Sequence, residues 1–231
     1  MSATNRAAQS GAANPEAGFR LSLFMQVVGF VVLSILLYAY ARLRWKGKEN
    51  VLPGGGFMVV SNHLSMLDPF ILSYIFRRDI RYMGKVELFR GGFVTWLLRL
   101  FGAFPVDRAR PGPQALRTAL NILRARQVLG MFPEGHRSDT GEMQEFRTGA
   151  IRIAIKAQAP IVPIGIWGTD RLLPPGGRWP RPVRIAVAIG TPIHYTALYD
   201  HHPTAEEIEA ASRDLEQCTA GLIQTAGALW R

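Results

Sequence analysis

The chain has 231 residues and a formal net charge of +10, from 27 basic and 17 acidic side chains. This length suits one α/β domain with additional segments, and a strongly basic chain is typical of proteins that meet a polyanion, either nucleic acid or an anionic lipid surface. The single cysteine, Cys218, excludes a disulfide framework and a cysteine-based metal site, and it gives no indication of a secreted fold.

Residues 1–18 are small and polar without periodicity, so we predict a disordered tail. The next segment, residues 19–45, contains an uncharged stretch of 21 residues, which is long enough for a helix to cross the hydrocarbon core of a bilayer. Basic and aromatic residues follow at once, as they do at a cytoplasmic membrane interface. We predict that residues 19–45 form a membrane-embedded or interfacial helix. Residues 46–231 then form one domain at the cytoplasmic face of a membrane, the inner membrane if the chain is bacterial.

After this segment, apolar stretches of strand length alternate with helical patterns. Strands are predicted at residues 57–60, 80–85, 103–106, 128–132, 159–168 and 184–193. Helices are predicted at residues 68–76, 111–127, 148–158 and 205–230, and residues 88–101 form either a core helix or a surface that dips into lipid. The alternation predicts an α/β fold with a mixed, largely parallel sheet flanked by helices, together with the N-terminal membrane helix.

The most informative stretch is FMVVSNHLSMLDPF at residues 57–70, where a buried strand ends, His63 follows, and Asp68 begins a helix. A carboxylate five residues after a histidine, across a tight turn, can hold one ring nitrogen and leave the other for a substrate. Alone, this spacing is more often structural. His201 and Glu206 repeat it in a polar C-terminal segment, where we predict a solvated helix start.

Two further predicted strands end in residues that suit a phosphate group. Arg108 follows the strand at residues 103–106, and Glu134 and Arg137 follow the strand at residues 128–132. The carboxyl ends of parallel strands gather at one edge of a sheet, and each guanidinium presents a planar fork for phosphate oxygens. Because an unpaired buried carboxylate is costly, we expect Glu134 to orient an arginine or a backbone turn rather than to act as a second base.

Four blocks stand in a fixed order along residues 50–195, namely NHLSMLD, GAFPVDR, FPEGHRS and APIVPIGI. In this order and spacing they resemble the motifs of the glycerolipid acyltransferases, the family that includes enzymes acting on 1-acylglycerol 3-phosphate. The segments KVEL at residues 85–88 and FRTGA at residues 146–150 are also similar to sequences that such enzymes carry between the blocks. One position departs from the family pattern, because His136 occupies the place of a common threonine.

The resemblance implies that residues 46–231 are an acyltransferase domain. It implies transfer of a fatty acyl group from an acyl thioester, acyl-CoA or an acyl-carrier protein, to the free hydroxyl of 1-acylglycerol 3-phosphate (lysophosphatidic acid), which gives phosphatidic acid. His63 is expected to be the general base, and Asp68 to fix its tautomer. The residues implied to bind the substrate head group are Arg108, Glu134, Gly135 and Arg137. Lys85, or a backbone N–H near Gly135, is expected to stabilise the oxyanion.

The expected partners are a membrane lipid, lysophosphatidic acid and the thioester donor, and neither a metal nor a cofactor is implied beyond that donor. Nucleic acid is not expected, because the sequence has no compact Lys/Arg run interleaved with aromatic residues. Ser65, inside the first block, is expected to form a turn rather than to act as a nucleophile. Two alternatives stay open: another acceptor, such as a different lysophospholipid, a lyso-aminolipid or glycerol 3-phosphate, and a non-catalytic protein that binds anionic membranes.

Overall fold

The computed structural model of the protein describes residues 40–100, 102–106, 112–172 and 181–231. The strands in these residues are β1 Arg44–Lys46, β2 Phe57–Ser61, β3 Ile80–Lys85, β4 Phe104–Val106, β5 Val128–Met131, β6 Ile161–Trp167 and β7 Ala186–Ile189. The α-helices are α1 Asp68–Phe76, α2 Gly92–Leu100, α3 Pro113–Arg124, α4 Gly149–Ala157 and α5 Ala205–Ala228. Each strand and helix predicted after residue 56 has a counterpart among these elements.

The strands form one sheet in the order β1-β7-β6-β2-β5-β3-β4. From β6 to β4 neighbouring strands are parallel, whereas β7 is antiparallel to β6, and β1 is parallel to β7. The predicted mixed, largely parallel sheet is therefore confirmed. Short crossovers that contain helices connect the parallel strands, as the alternating pattern of the sequence requires.

The prediction of a helix over residues 19–45 is corrected at its C-terminal end, and the rest of that segment lies outside the described residues. Residues 1–39 contain the predicted tail and most of the predicted membrane helix, and they are not among the described residues. No helix in the described ranges is both long and apolar enough to span a bilayer. Arg44 and Trp45, predicted as the end of a helix, instead lie in β1, because their backbone pairs with β7 at the edge of the sheet. Three exposed residues carry no alternating pattern that could have indicated this strand.

Helices cover both faces of the sheet and bury its central strand completely. Every residue of β2 is buried, as expected for a parallel strand with helices on both sides. The side chains of Phe57 and Val59 pack in one cluster with α1, and those of Met58 and Val60 pack in a second cluster with α3, α4 and α5. The imidazole of His63, two residues beyond β2, lies on the face covered by α1, because it stacks on Phe132, which packs against the first cluster.

The carboxyl ends of β2, β3, β4, β5 and β6 meet at one edge of the sheet because these strands are parallel. Asn62, the first residue after β2, reinforces this edge. Its buried amide donates to the carbonyl of Ile166 at 3.0 Å and accepts from the N–H of the same residue at 2.8 Å. The side chain thus takes the place of two backbone hydrogen bonds between β2 and β6. It also fixes the position along β6 at which the chain turns toward α1.

We expect substitutions of two glycines to affect stability in opposite directions. A Cβ added at Gly165, in β6, would overlap the backbone of Leu222 and Ile223 in α5, whereas a Cβ at Gly221 would have nothing within 4 Å. Gly165→Ala should therefore lower the free energy of unfolding by about 1–3 kcal/mol or more, because α5 must move off the sheet. Gly221→Ala, in the same helix, should raise it by about 0.5–1 kcal/mol. Urea denaturation measures both, and equal effects of the two variants would contradict the described packing of α5.

Candidate active site

The imidazole of His63 and the carboxylate of Asp68 form a buried pair where β2 ends and α1 begins. Nδ1 of His63 lies 2.9 Å from Oδ2 of Asp68, and the two residues are 7% and 0% exposed. The contact expected from the five-residue spacing is therefore present. It forms because the chain leaves β2, makes one tight turn and enters α1 at Asp68 itself.

The turn between the two residues is built around the Asp68 carboxylate. Oδ2 also accepts the backbone N–H groups of Leu64 and Ser65, each at 2.7 Å. Asp68 occupies the first turn of α1, where the helix dipole favours a negative charge. Ser65 forms a turn as expected, because its Oγ accepts the N–H of Leu67 at 3.3 Å. Three donors on one oxygen fix the carboxylate, and the fixed carboxylate in turn fixes the imidazole.

Two stacked aromatic rings fix the plane of the imidazole. The ring of Phe132 stacks on that of His63 with centroids 4.1 Å apart and an interplanar angle of 17°. Tyr82 stacks on Phe132 in turn at 5.8 Å and 11°, and burial raises the pKa of the Tyr82 hydroxyl far above its ordinary value. Gly130 makes room for this arrangement, because a Cβ at that position would overlap the Tyr82 ring. Neither ring contact is predicted from the sequence, because Tyr82 lies in β3 and Phe132 directly after β5, far apart in sequence, and both are ordinary core residue types.

The hydrogen bond to Asp68 determines what the imidazole can do. An ionised carboxylate only accepts hydrogen bonds, so in the neutral ring this contact assigns the proton to Nδ1 and leaves the lone pair on Nε2. Within the described residues, Nε2 has no hydrogen-bond partner. A buried and oriented imidazole in this tautomer can accept a proton from a hydroxyl group and later return it.

Glu134, just after β5, supports the main chain of His63. Its Oε1 accepts the backbone N–H of His63 at 2.8 Å, and the residue is 2% exposed. This contact agrees with the expected role in orienting a backbone turn. Burial raises the pKa of the Glu134 carboxyl to about 7; the N–H groups of His63 and Gln144 oppose the rise, and the charges of Asp68 and Glu216 add to it. Whether Glu134 also contacts a substrate stays a prediction of the resemblance.

Gly135, His136 and Arg137 of the FPEGHRS block form a turn next to Glu134 in which His136 and Arg137 are exposed, whereas Ser138, the last residue of the block, is buried. Gly135 has φ +80°, which favours glycine, and its N–H donates to the carbonyl of Phe132 at 3.1 Å. A backbone N–H near Gly135 is one of the two expected oxyanion donors, and the N–H of Gly135 itself is already bonded in the turn. The Arg137 side chain is exposed and makes no ion pair or hydrogen bond with the part of the chain that the structure describes. Its position suits a ligand at this edge of the sheet.

The two other predicted substrate-binding residues have different outcomes. Lys85 is the last residue of β3, and its Nζ lies 3.5 Å from Oε1 of Glu87, with both side chains about half exposed. It is thus at the same edge of the sheet as His63. Arg108 lies outside the described residues, two positions after the end of β4.

Sequence analysis did not single out Arg147, which lies in the FRTGA segment. Its guanidinium packs directly against Gly135, where a Cβ would come within 3.1 Å of its Cζ, and the backbone N–H of Arg147 donates to the carbonyl of Pro133 at 3.1 Å. Arg147 and the exposed His136 both line a cavity of about 820 Å³ that Glu134 also borders. The placement of an arginine against the turn depends on a contact between distant segments, so only the resemblance of the FRTGA segment gave any signal.

The second histidine–carboxylate pair of the chain is exposed, in contrast to the first. His201 Nε2 lies 3.2 Å from a Glu207 oxygen, with the two side chains 44% and 42% exposed. Glu207 and Thr204 form a capping box at the start of α5. The predicted solvated helix start is confirmed, although the contact is to Glu207 rather than to Glu206.

Comparisons with known proteins agree with this geometry. Residues 42–167 match the family model described as Acyltransferase. The chain is 31% identical over 186 residues to a 1-acyl-sn-glycerol-3-phosphate acyltransferase of Bacillus subtilis, covering 80% of this chain and 90% of the relative. A protein of the same description from Saccharomyces cerevisiae is 34% identical over 134 residues, which cover 56% of this chain and 44% of that protein. The fold is similar to the crystal structure of the 1-acyl-sn-glycerophosphate (LPA) acyltransferase PlsC from Thermotoga maritima, with a TM-score of 0.66, 26% identity, and coverage of 89% of this chain and 78% of that one.

Replacing Glu134 by glutamine should remove a pH dependence of stability. The folded-state pKa of about 7 lies above the ordinary value of 4.5, so the folded protein binds this proton more tightly than the unfolded chain does. The contribution of Glu134 to the free energy of unfolding therefore falls as pH rises from about 4.5 to about 7. Glutamine keeps an oxygen for the His63 N–H and cannot ionise.

We expect Glu134→Gln to exceed the wild-type protein in stability by at least ~1 kcal/mol at about pH 8, and by clearly less at about pH 5. Urea denaturation at the two pH values measures this difference. Glu145→Gln, at an exposed position in the same loop, is the matched control. A stability difference for Glu134→Gln that is independent of pH would contradict the buried placement of this carboxyl.

Proposed function

The chain belongs to the acyltransferase family, and we propose that it transfers a fatty acyl group from an acyl thioester to the free hydroxyl of 1-acylglycerol 3-phosphate, giving phosphatidic acid. The observation that carries this proposal is the buried His63–Asp68 pair, with Nδ1 held at 2.9 Å and Nε2 left for a proton. The relatives named above, described as acting on this acceptor, support the choice of substrate.

An alcohol is a poor nucleophile at neutral pH, so its attack on a thioester needs a base that removes the proton during bond formation. In the proposed mechanism, Nε2 of His63 takes the hydroxyl proton while the acceptor oxygen bonds to the thioester carbon. Asp68 stabilises the imidazolium that forms, and the stacked ring of Phe132 adds a cation–π contact. The tetrahedral intermediate then collapses, the C–S bond breaks, and the imidazolium returns its proton to the thiolate. No acyl-enzyme is required, because the acceptor attacks directly.

The phosphate of the acceptor needs cations close to the imidazole. We assign this role to Arg137 and Arg147, which flank the turn after β5, together with Arg108 as the resemblance implies. Guanidinium groups suit a phosphomonoester because each can donate two parallel hydrogen bonds to its oxygens. Lys85, at the end of neighbouring β3, is the proposed donor to the oxyanion, since the Gly135 N–H is bonded within its own turn.

The proposed reaction uses the acyl thioester as a co-substrate, either acyl-CoA or an acyl-carrier protein, and its steps require neither a metal nor a cofactor. Because both the acceptor and the product are membrane lipids, the proposal places the working enzyme at a bilayer surface. The net positive charge of the chain supports binding to a bilayer surface that carries anionic lipids. The residues that follow the apolar stretch are positively charged, which supports a location of the domain at the cytoplasmic face of the membrane.

We expect His63→Ala to lower kcat for acyl transfer by about 10²–10⁴-fold or more, because the alcohol then loses its base. The fold should be retained, since the change removes a side chain from the edge of the core only. His201→Ala is the matched control, because this histidine also pairs with a carboxylate but is exposed. A radiolabelled acyl-donor assay measures turnover, and thermal unfolding checks the fold. Full activity in a folded His63→Ala variant would contradict the proposed role and would favour a non-catalytic membrane-binding protein.

The acceptor itself is tested by a panel of lyso-lipids in the same assay. We expect turnover with lysophosphatidic acid, and much lower turnover with zwitterionic lysophospholipids, because only the former presents a phosphomonoester to the arginines. Turnover of a zwitterionic or amino-lipid acceptor without turnover of lysophosphatidic acid would replace the proposed substrate by that lipid. The acyltransferase chemistry would stand in that case.

A further inference from the structure

A second group of cations lies away from His63, around the start of β1 and the end of α5. We name it the Arg–Trp cluster and define it as Arg44, Arg171, Arg184, Trp167 and Trp230. Arg44 Cζ lies 3.8 Å from the centroid of Trp230, Arg184 Cζ lies 5.3 Å from it, and Arg171 Cζ lies 4.3 Å from the centroid of Trp167. Four of the five residues border a cavity of about 370 Å³. The proposed acyl transfer uses none of them.

The positive charge of this cluster is poorly balanced by the protein itself. Arg44 and Arg184 are exposed and form no ion pair with any carboxylate in the described ranges. Arg171 has one partner, Asp170, at 3.9 Å, and its side chain is 54% exposed. Three guanidinium groups at one place repel one another unless an anion joins them. The cluster can therefore bind anions that do not belong to the chain.

The cluster lies at the same edge of the sheet as the candidate active site. In the register of the sheet Ser61 is level with Ile164, so His63 and Trp167, two and three residues further on, leave the sheet at nearly the same level. Trp167 is paired with Ala186, and Ala186 is paired with Arg44. Trp167 and Trp230 pack with Ala186 and Ala226 on the face covered by α5, whereas His63 stacks on Phe132 on the face covered by α1. A surface that touches the cluster would consequently lie next to the edge from which His63 is reached.

The apolar N-terminal stretch joins the folded domain at this place. The carbonyls of Tyr40 and Ala41 accept the N–H groups of Val183 and Ile185 at 3.0 and 3.1 Å, and the uncharged stretch begins at Leu21 and ends at Ala41. The chain thus enters the domain beside Arg184 directly after about 20 residues of apolar sequence. A bilayer that accommodates this stretch brings its headgroups to the cluster.

We propose that the Arg–Trp cluster is a docking surface for the anionic phospholipid headgroups of a bilayer. The guanidinium forks bind headgroup phosphates, and the indole rings lie at the interface, where tryptophan is enriched in membrane proteins. Docking turns the His63 edge of the sheet toward the lipid. Nucleic acid fits less well, because each indole already stacks on a guanidinium and is not open on both faces for bases. The orienting role rests on the proposed function, whereas the binding itself does not.

The test measures partition of the full chain onto phosphatidylcholine vesicles and onto vesicles that also contain phosphatidylglycerol. The ratio of the two partition coefficients measures the contribution of lipid charge to binding, because insertion of the apolar stretch contributes to both coefficients. Arg171→Gln combined with Arg184→Gln should lower this ratio by about 10- to 30-fold, since a basic residue near such a surface contributes roughly 1 kcal/mol. Arg117→Gln combined with Arg124→Gln removes the same charge from exposed positions on α3 and should change the ratio less than about twofold. The double lysine variant, Arg171→Lys with Arg184→Lys, should keep most of the wild-type ratio because it keeps the charge.

Several outcomes would overturn the proposal. The first is a wild-type chain that shows no preference for the anionic vesicles. The second is an equal loss of the partition ratio in the two double glutamine variants. The third is a cluster variant that loses affinity for a DNA oligonucleotide but not for vesicles. Activity on a dispersed short-chain acceptor separates this proposal from the acyltransferase assignment. There the cluster variant should match the wild-type protein, whereas His63→Ala should be inactive. A cluster variant equally impaired with and without vesicles would place the arginines in the substrate site and refute the docking role.

Discussion

Oδ2 of Asp68 is the atom on which the candidate site depends. It accepts the imidazole N–H of His63 and two backbone N–H groups of the turn, so one oxygen sets both the path of the chain and the tautomer of the ring. A fully buried carboxylate is costly unless it is hydrogen-bonded, and its position in the first turn of α1 adds the favourable helix dipole. The spacing of five residues lets the turn place two of its own N–H groups on this oxygen.

The sheet brings the other groups to this atom pair. Parallel strands end at a common edge, so the residues after β2, β3 and β5 meet although they are far apart in sequence. Glu134 fastens the His63 main chain from the side of β5, Asn62 fastens the same turn to β6, and Phe132 covers the imidazole. A rigid imidazole with one occupied nitrogen is thereby presented at the edge of the sheet where the turn after β5 also lies. This arrangement needs no loop closure to form the base.

Sequence reasoning predicted much of this and failed where contacts are made by distant segments. The apolar strands, the start of α1 at Asp68 and the largely parallel sheet follow from local patterns of hydrophobicity and helix capping. The stacking of Tyr82 and Phe132, and the packing of Arg147 on Gly135, could not be predicted, because they arise only when strands and loops are brought together. The strand at Arg44–Lys46 was missed because it is short, exposed and preceded by an apolar stretch that favours a helix. The two histidine–carboxylate pairs differ in burial, which the spacing of residues alone does not encode.

The proposed chemistry requires that His63 is held as the tautomer with its proton on Nδ1, so that Nε2 can act as a base. The most direct test is a nitrogen NMR spectrum of the protein with ¹⁵N-labelled histidine side chains, with the His63 signals assigned by comparison with His63→Ala. We expect that in the neutral ring of His63 Nδ1 is protonated and Nε2 has the shift of an unprotonated ring nitrogen. A proton on Nε2, with Nδ1 unprotonated, would contradict it.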